Sequence, residues 1–218
     1  MENVIIFKTA LILHIIAGST ALLTGFLALV FKKKRNGYHG KAGLVFHYAM
    51  VAVSISAFAM AIIKMNYFLF VVGVFSLYLT FAGYRSIKIM KGERKEGLVD
   101  QLGMALSALL MGAVTYQFLS TTIFSLTGFS MVILVFDAIL AALLLLDLKI
   151  FNKSKPFTKN QWLIRHITRM VPAYIATVTA FLVVNVSYEY PVVIWLAPTV
   201  LFVPVIIYNI RKYRVRNI

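Results

Sequence analysis

The chain contains no cysteine, and only seven of its 218 residues are acidic. Without thiols it can form no disulfide, thiolate metal site or Fe–S cluster, so any redox chemistry needs a bound cofactor. Short catalytic motifs are missing too, since the sequence has no HExxH, no glycine-rich phosphate loop and no GxSxG elbow. No serine is seen beside a base, which makes an intramembrane hydrolase the least expected class.

Hydrophobic residues make up 61% of the chain, well above the share found in soluble domains. A transmembrane helix needs about 20 apolar residues, and seven segments meet this requirement. The amino terminus lacks a basic stretch and a cleavage site, so the first segment is interpreted as a retained helix. The predicted fold is an all-α, polytopic membrane protein, with residues 1–218 forming one seven-transmembrane-helix bundle. The predicted helices lie near residues 4–31, 44–63, 67–86, 101–119, 123–147, 163–186 and 191–210.

Apart from Lys8 and Lys64, lysine and arginine fall into four clusters, placed at every second end of the apolar segments. The positive-inside rule therefore predicts an external amino terminus and a cytoplasmic carboxyl terminus, in a cell inner membrane. The net charge of +15 is spread over membrane-flanking loops, which argues against nucleic acid and favours anionic inner-leaflet headgroups as partners. A membrane protein partner or a homo-oligomer stays open. The clusters are Lys32–Arg35 with Lys41, Arg85–Lys95, Lys149–Arg169 and Arg211–Arg216.

Two ionisable residues are predicted deep within the membrane. His14 lies about 15 Å from the outer end of the first helix, and Asp137 lies about 20 Å along the fifth. Charged groups are costly at this depth, so we expect the two side chains to meet. Such a pair is a candidate proton relay, although a simple interhelical hydrogen bond would satisfy both groups equally well.

A second set of polar residues is predicted at the cytoplasmic ends of the helices. His39 and His47 are eight residues apart with Gly43 between them, so all three share one helix face. The other members come from four further helices and are Arg85, Asp100, Asp147, Arg165, His166 and Arg169.

Three interpretations of this set stay open. His47 and His166 could be axial ligands of a b-type haem, with Arg165 or Arg169 binding the propionates. Alternatively, His39, His47, His166 and an aspartate could bind a divalent metal. The third interpretation is structural, with salt bridges and snorkelling charges anchoring the helix ends.

Several short motifs resemble those of a known family. The runs Leu13–Gly18 and His39–Gly43 each contain H-x-x-x-G, and Gly83-Tyr84-Arg85 and Trp162–Arg165 look like two further motifs. The chain thus resembles the bacterial domain-of-unknown-function family numbered 2306 over most of its length. The resemblance implies a multi-pass bundle and marks His14, His39, Arg85 and Arg165, but it implies no activity.

The chain departs from that family's pattern at two places. Gly40 stands where a basic residue is expected after the second motif histidine. Residues 159–161 read Lys-Asn-Gln where histidine and arginine are expected. A site that relatives build from those residues would be altered in this chain.

The leading functional prediction is a small membrane electron-transfer protein with a b-type haem or another metal cofactor. The alternative is a proton-coupled carrier of a small solute or lipid, with His14 and Asp137 as the relay. In such a carrier, the prolines Pro172, Pro198 and Pro204 would kink the moving helices. A non-catalytic membrane subunit is the third class.

Overall fold

A computed structural model describes residues 2–31, 37–121, 128–151, 156–187, 189 and 191–215. All regular secondary structure in these ranges is helical, and each of their seven helices is long and apolar enough to cross a membrane. The predicted all-α class and the predicted number of helices able to span a membrane are therefore confirmed for the described residues. The helices are α1 Glu2–Val30, α2 Tyr38–Lys64, α3 Tyr67–Met90, α4 Leu98–Thr121, α5 Gly128–Phe151, α6 Lys159–Asn185 and α7 Pro191–Val215.

Four helices, α1, α2, α4 and α6, begin earlier than hydropathy predicts, and the largest shifts are those of α2 and α6. α2 starts at Tyr38, next to Gly37 with its positive φ of 71°, so His39 is helical. α6 starts at Lys159, where Thr158 and Gln161 form a capping box. Polar residues can continue a helix into the membrane interface, because backbone hydrogen bonding does not depend on apolar side chains.

Some predicted features lie outside the described residues. These are the first part of the fifth predicted helix and several members of the basic clusters. They comprise residues 123–127, 32–35, 153, 155 and 216.

The chain divides into two compact units, and the first three helices contribute a segment to each. The first unit contains residues 1–17, 51–78 and 96–156, and so includes α4 and α5. Its described core is aromatic and aliphatic, with the Phe136 ring lying edge-on to Phe75 at a centroid distance of 4.9 Å. Val71 and Leu140 are fully buried there.

The second unit contains residues 18–50, 79–95 and 157–218, and so includes α6 and α7. The Tyr174 ring of α6 lies edge-on to Phe202 of α7, with 5.4 Å between ring centroids. The same ring packs against Phe46 of α2 and directly over Gly25 of α1. This unit contains three of the four histidines.

Candidate functional site

His39 lies in the first turn of α2 and is held by the main chain of α1. Its Nδ1 is 2.7 Å from the carbonyl oxygen of Ala28. A carbonyl can only accept a hydrogen bond, so Nδ1 must carry the proton. In the neutral imidazole, the Nε2 atom then keeps its lone pair.

His166 of α6 is held in the same way by α3. Its Nδ1 donates to the carbonyl oxygen of Gly83 over 2.9 Å. The absence of a side chain at Gly83 allows this close approach, since a Cβ atom there would lie 2.7 Å from both Cγ and Sδ of Met170. His166 thus has the same tautomer as His39, again with the lone pair on Nε2.

The two rings are neighbours. Their centroids are 6.5 Å apart and their planes are inclined at 78°. In the part of the chain that the structure describes, the hydrogen bonds of both rings involve Nδ1, and Nε2 takes part in none. Two imidazoles with oriented Nδ1–H groups and available Nε2 atoms are the arrangement that metal-ligating histidines show.

His47 has a different environment from the one that the haem prediction requires. Its ring stacks on Tyr84 at 4.4 Å with an interplanar angle of 8°, and it hydrogen-bonds to the backbone of Thr80. Only 7% of the residue is exposed, and its Nδ1 is buried with no partner among the described residues. The ring that lies beside His166 is that of His39. The prediction of His47 was based on helix depth, and depth alone does not define which face of α2 meets α6.

The two predicted propionate ligands also have protein partners. Nη1 of Arg165 donates to the Ala82 carbonyl oxygen at 3.1 Å and to the Ser86 hydroxyl at 2.9 Å. Nη1 of Arg169 donates to Thr168. Arg165 is buried, so its guanidinium group ties α6 to α3 through hydrogen bonds that replace its hydration.

His14 and Asp137, both in the first unit, are not paired with each other. His14 Nδ1 lies 3.0 Å from the Ser56 hydroxyl and 3.2 Å from the Val53 carbonyl, both on α2. Asp137 accepts a hydrogen bond from Thr115 of α4. Each group uses a hydroxyl on another helix, and the central pair expected from sequence is replaced by two separate contacts.

The remaining acidic and basic members of the predicted set have hydrogen-bond partners as well. Asp147 is fully buried and accepts a hydrogen bond from the Tyr78 hydroxyl. Asp100 accepts from the Gly97 amide at the start of α4, and Arg85 donates to the Lys95 carbonyl. Within the described ranges, no group of three or more His, Asp or Glu side chains is placed to hold a metal ion.

Comparisons with family models, curated proteins and solved structures found no match to this chain.

Proposed function

We propose that the protein is a small membrane electron-transfer protein that binds one b-type haem between His39 and His166. The observation that carries the proposal is the pair of neighbouring imidazoles, each oriented by a main-chain carbonyl. This pair replaces the His47/His166 pair expected from helix depth.

The spacing of the rings allows both imidazoles to reach one metal ion. Metal–nitrogen bonds are roughly 2 Å long and each nitrogen lies about 1 Å from its ring centre, so two imidazoles that share an ion have ring centres up to about 6 Å apart. The centroids of His39 and His166 are 6.5 Å apart. Their Nε2 atoms would hold the iron of a haem.

The two available histidine nitrogens favour haem over a metal ion that is ligated by protein side chains alone. Structural and catalytic metal sites normally use three or four protein ligands, and no such group occurs among the described residues. Haem iron receives four nitrogens from its own macrocycle and needs only the two axial ligands. The divalent-metal site of His39, His47 and His166 is accordingly the weaker alternative.

The α2 surface is open at the two glycines that follow His39. A Cβ atom at Gly40 or Gly43 would meet no heavy atom within 4 Å. Gly43 is one turn after His39 on the same helix face. When bound, a bis-imidazole haem supplies reversible one-electron transfer, while the carbonyls of Ala28 and Gly83 hold both imidazoles in the tautomer that can ligate.

The orientation in the membrane, the partners and the family are part of the same proposal. Exposed basic residues at the end of α7 support a cytoplasmic carboxyl terminus in the inner membrane. The Lys212 ammonium group lies over the rings of Tyr208 and Tyr213. These basic residues suit anionic headgroups. Membership of the family numbered 2306 is proposed from the sequence motifs that contain His14, His39, Arg85 and Arg165.

Absorption spectroscopy tests the haem directly. The purified protein is titrated with haemin in mild detergent, and the oxidised and dithionite-reduced spectra are recorded. We expect a Soret band that sharpens on reduction, and loss of that six-coordinate spectrum in His39→Ala and in His166→Ala. His14→Ala is the matched control, because this histidine lies in the other unit and should leave the spectrum unchanged.

A further variant separates the two candidate axial pairs. His47→Phe keeps a ring to stack on Tyr84 and removes the imidazole nitrogens, so the proposal predicts normal haem binding. Loss of the spectrum in His47→Phe with retention in His39→Ala would contradict the His39/His166 pair. A correctly folded wild-type protein that binds no haem would overturn the proposed function.

A further inference from the structure

Asp137 has the environment of a carboxylic acid that holds a proton. It belongs to a spanning helix, α5, and follows the buried Ile133 by one turn and precedes the buried Leu140 by nearly one. On α4, Thr115 faces it, one turn after the buried Met111. The carboxyl group is thus set in a row of apolar side chains.

The carboxyl group has too few donors for an ionised state. An ionised carboxylate offers about four lone-pair positions, and buried carboxylates are stable only when donors or a cation occupy them. The Thr115 hydroxyl bonds to Oδ2, whereas Oδ1 is buried without a hydrogen-bond partner among the described residues.

No positive charge in the described chain compensates Asp137. On α4, the titratable groups are Asp100 in the first turn and Tyr116, whose side chain is 75% exposed. On α5, Asp147 and Lys149 lie at the far end, about 15 Å or more along the helix axis. His14 of α1 bonds to Ser56, and none of these groups pairs with Asp137.

We propose that Asp137 and Thr115 form a proton-binding site in the membrane, in which the Asp137 carboxyl group is neutral at pH 7 and exchanges its proton with solvent. The Thr115 hydroxyl serves both states, since it can accept from the acid or donate to the carboxylate. This site is independent of the proposed haem, because it lies in the other unit and uses no histidine. It gives the chain a group that can take up and release one proton.

Infrared spectroscopy of the whole protein in lipid nanodiscs tests the protonation state. We expect a carbonyl band of a protonated carboxylic acid at pH 7 that shifts in D₂O and is lost in Asp137→Asn. Glu2→Gln is the matched control, because Glu2 is exposed and should leave the band in place. Identical spectra for the wild-type protein and Asp137→Asn, or a band that does not respond to D₂O, would overturn the proposal.

The role of Thr115 is tested with the same band. Thr115→Val removes the hydrogen bond to Oδ2, so the band of the protonated acid should shift to a higher frequency. Thr115→Ser keeps the hydroxyl and should retain the wild-type frequency. An unchanged band frequency in Thr115→Val would contradict the Asp137–Thr115 site.

Discussion

Gly25→Ala should destabilise the second unit through a defined steric conflict. An added Cβ atom would lie 2.4 Å from Cδ2 and 2.6 Å from Cε2 of Tyr174, and 3.1 Å from Cδ2 of Phe46. Ordinary carbon contacts are about 3.5–4.0 Å, so the Tyr174 ring must move by about 1 Å. It cannot move freely, because Phe46 and Phe202 also contact this ring.

The net effect can be worked out from two opposing terms. Overpacking of a well-packed core costs typically about 1–3 kcal/mol, and we expect the upper part of this range here. Alanine is a better helix former than glycine by about 1 kcal/mol, which offsets part of the cost. Gly25→Ala should therefore lower the free energy of unfolding by about 2 kcal/mol.

Gly18→Ala is the matched control on the same helix, seven residues earlier. A Cβ atom at this position meets no heavy atom within 4 Å, so only the helix-propensity term applies. Gly18→Ala should be neutral or stabilising by up to about 1 kcal/mol. Reversible unfolding in mixed micelles measures both variants. Equal stability of Gly18→Ala and Gly25→Ala would show that a Cβ atom at position 25 does not conflict with the Tyr174 ring.

A double variant localises the conflict to the ring. Tyr174→Leu removes the aromatic atoms that the new methyl group would strike. In Gly25→Ala combined with Tyr174→Leu, the total loss should be smaller than the sum of the two single losses. Simple additivity would show that the methyl group and the ring do not conflict.

Two further predictions concern the start of α6 and the loop between α3 and α4. Thr158→Ala removes the capping box of α6 and should cost about 1 kcal/mol, measured by the same unfolding assay, with Thr158→Ser as the conservative control. The hydrogen bond from Lys88 lowers the pKa of Glu93, so this ion pair contributes stability at neutral pH that is lost as the pH falls through the lowered pKa. Lys88→Gln should return the pKa of Glu93 towards its ordinary value in an NMR titration, whereas an unchanged titration would contradict the contact.

The sequence was sufficient to predict the helices, because length and apolar composition determine which segments can cross a membrane. It was less reliable for the helix starts. His39 and Lys41 interrupt the apolar run, yet they lie in α2, whose first turn contains polar residues. Hydropathy predicts the apolar part of a helix and not its polar continuation.

The pairing of the histidines was harder to predict. Sequence position gives the depth of a residue but not the rotation of its helix, so His47 and His39 were equally able to meet His166. The acceptors that orient His39 and His166 are backbone carbonyls of Ala28 and Gly83, which no side-chain pattern marks. His39 and Gly83 both stand in motifs that resemble those of the family, and these motifs are the signals that the sequence offers for the pair.

The contacts of His14 and Asp137 show a related limit. The sequence marks both positions as polar groups that need partners, and both residues are half-buried. Their partners are the hydroxyls of Ser56 and Thr115, which are common residues in membrane helices. A pattern search finds the rare charged residue and overlooks the hydroxyl that satisfies it.

Electron paramagnetic resonance of the oxidised, haem-loaded protein is the decisive measurement for ligation by His39 and His166. If these two imidazoles hold the haem iron, the protein should give a low-spin ferric signal. His39→Met and His166→Met should each change this signal, and His14→Ala should not. A high-spin ferric signal from the wild-type protein, or a low-spin signal that survives both substitutions, would contradict ligation by His39 and His166.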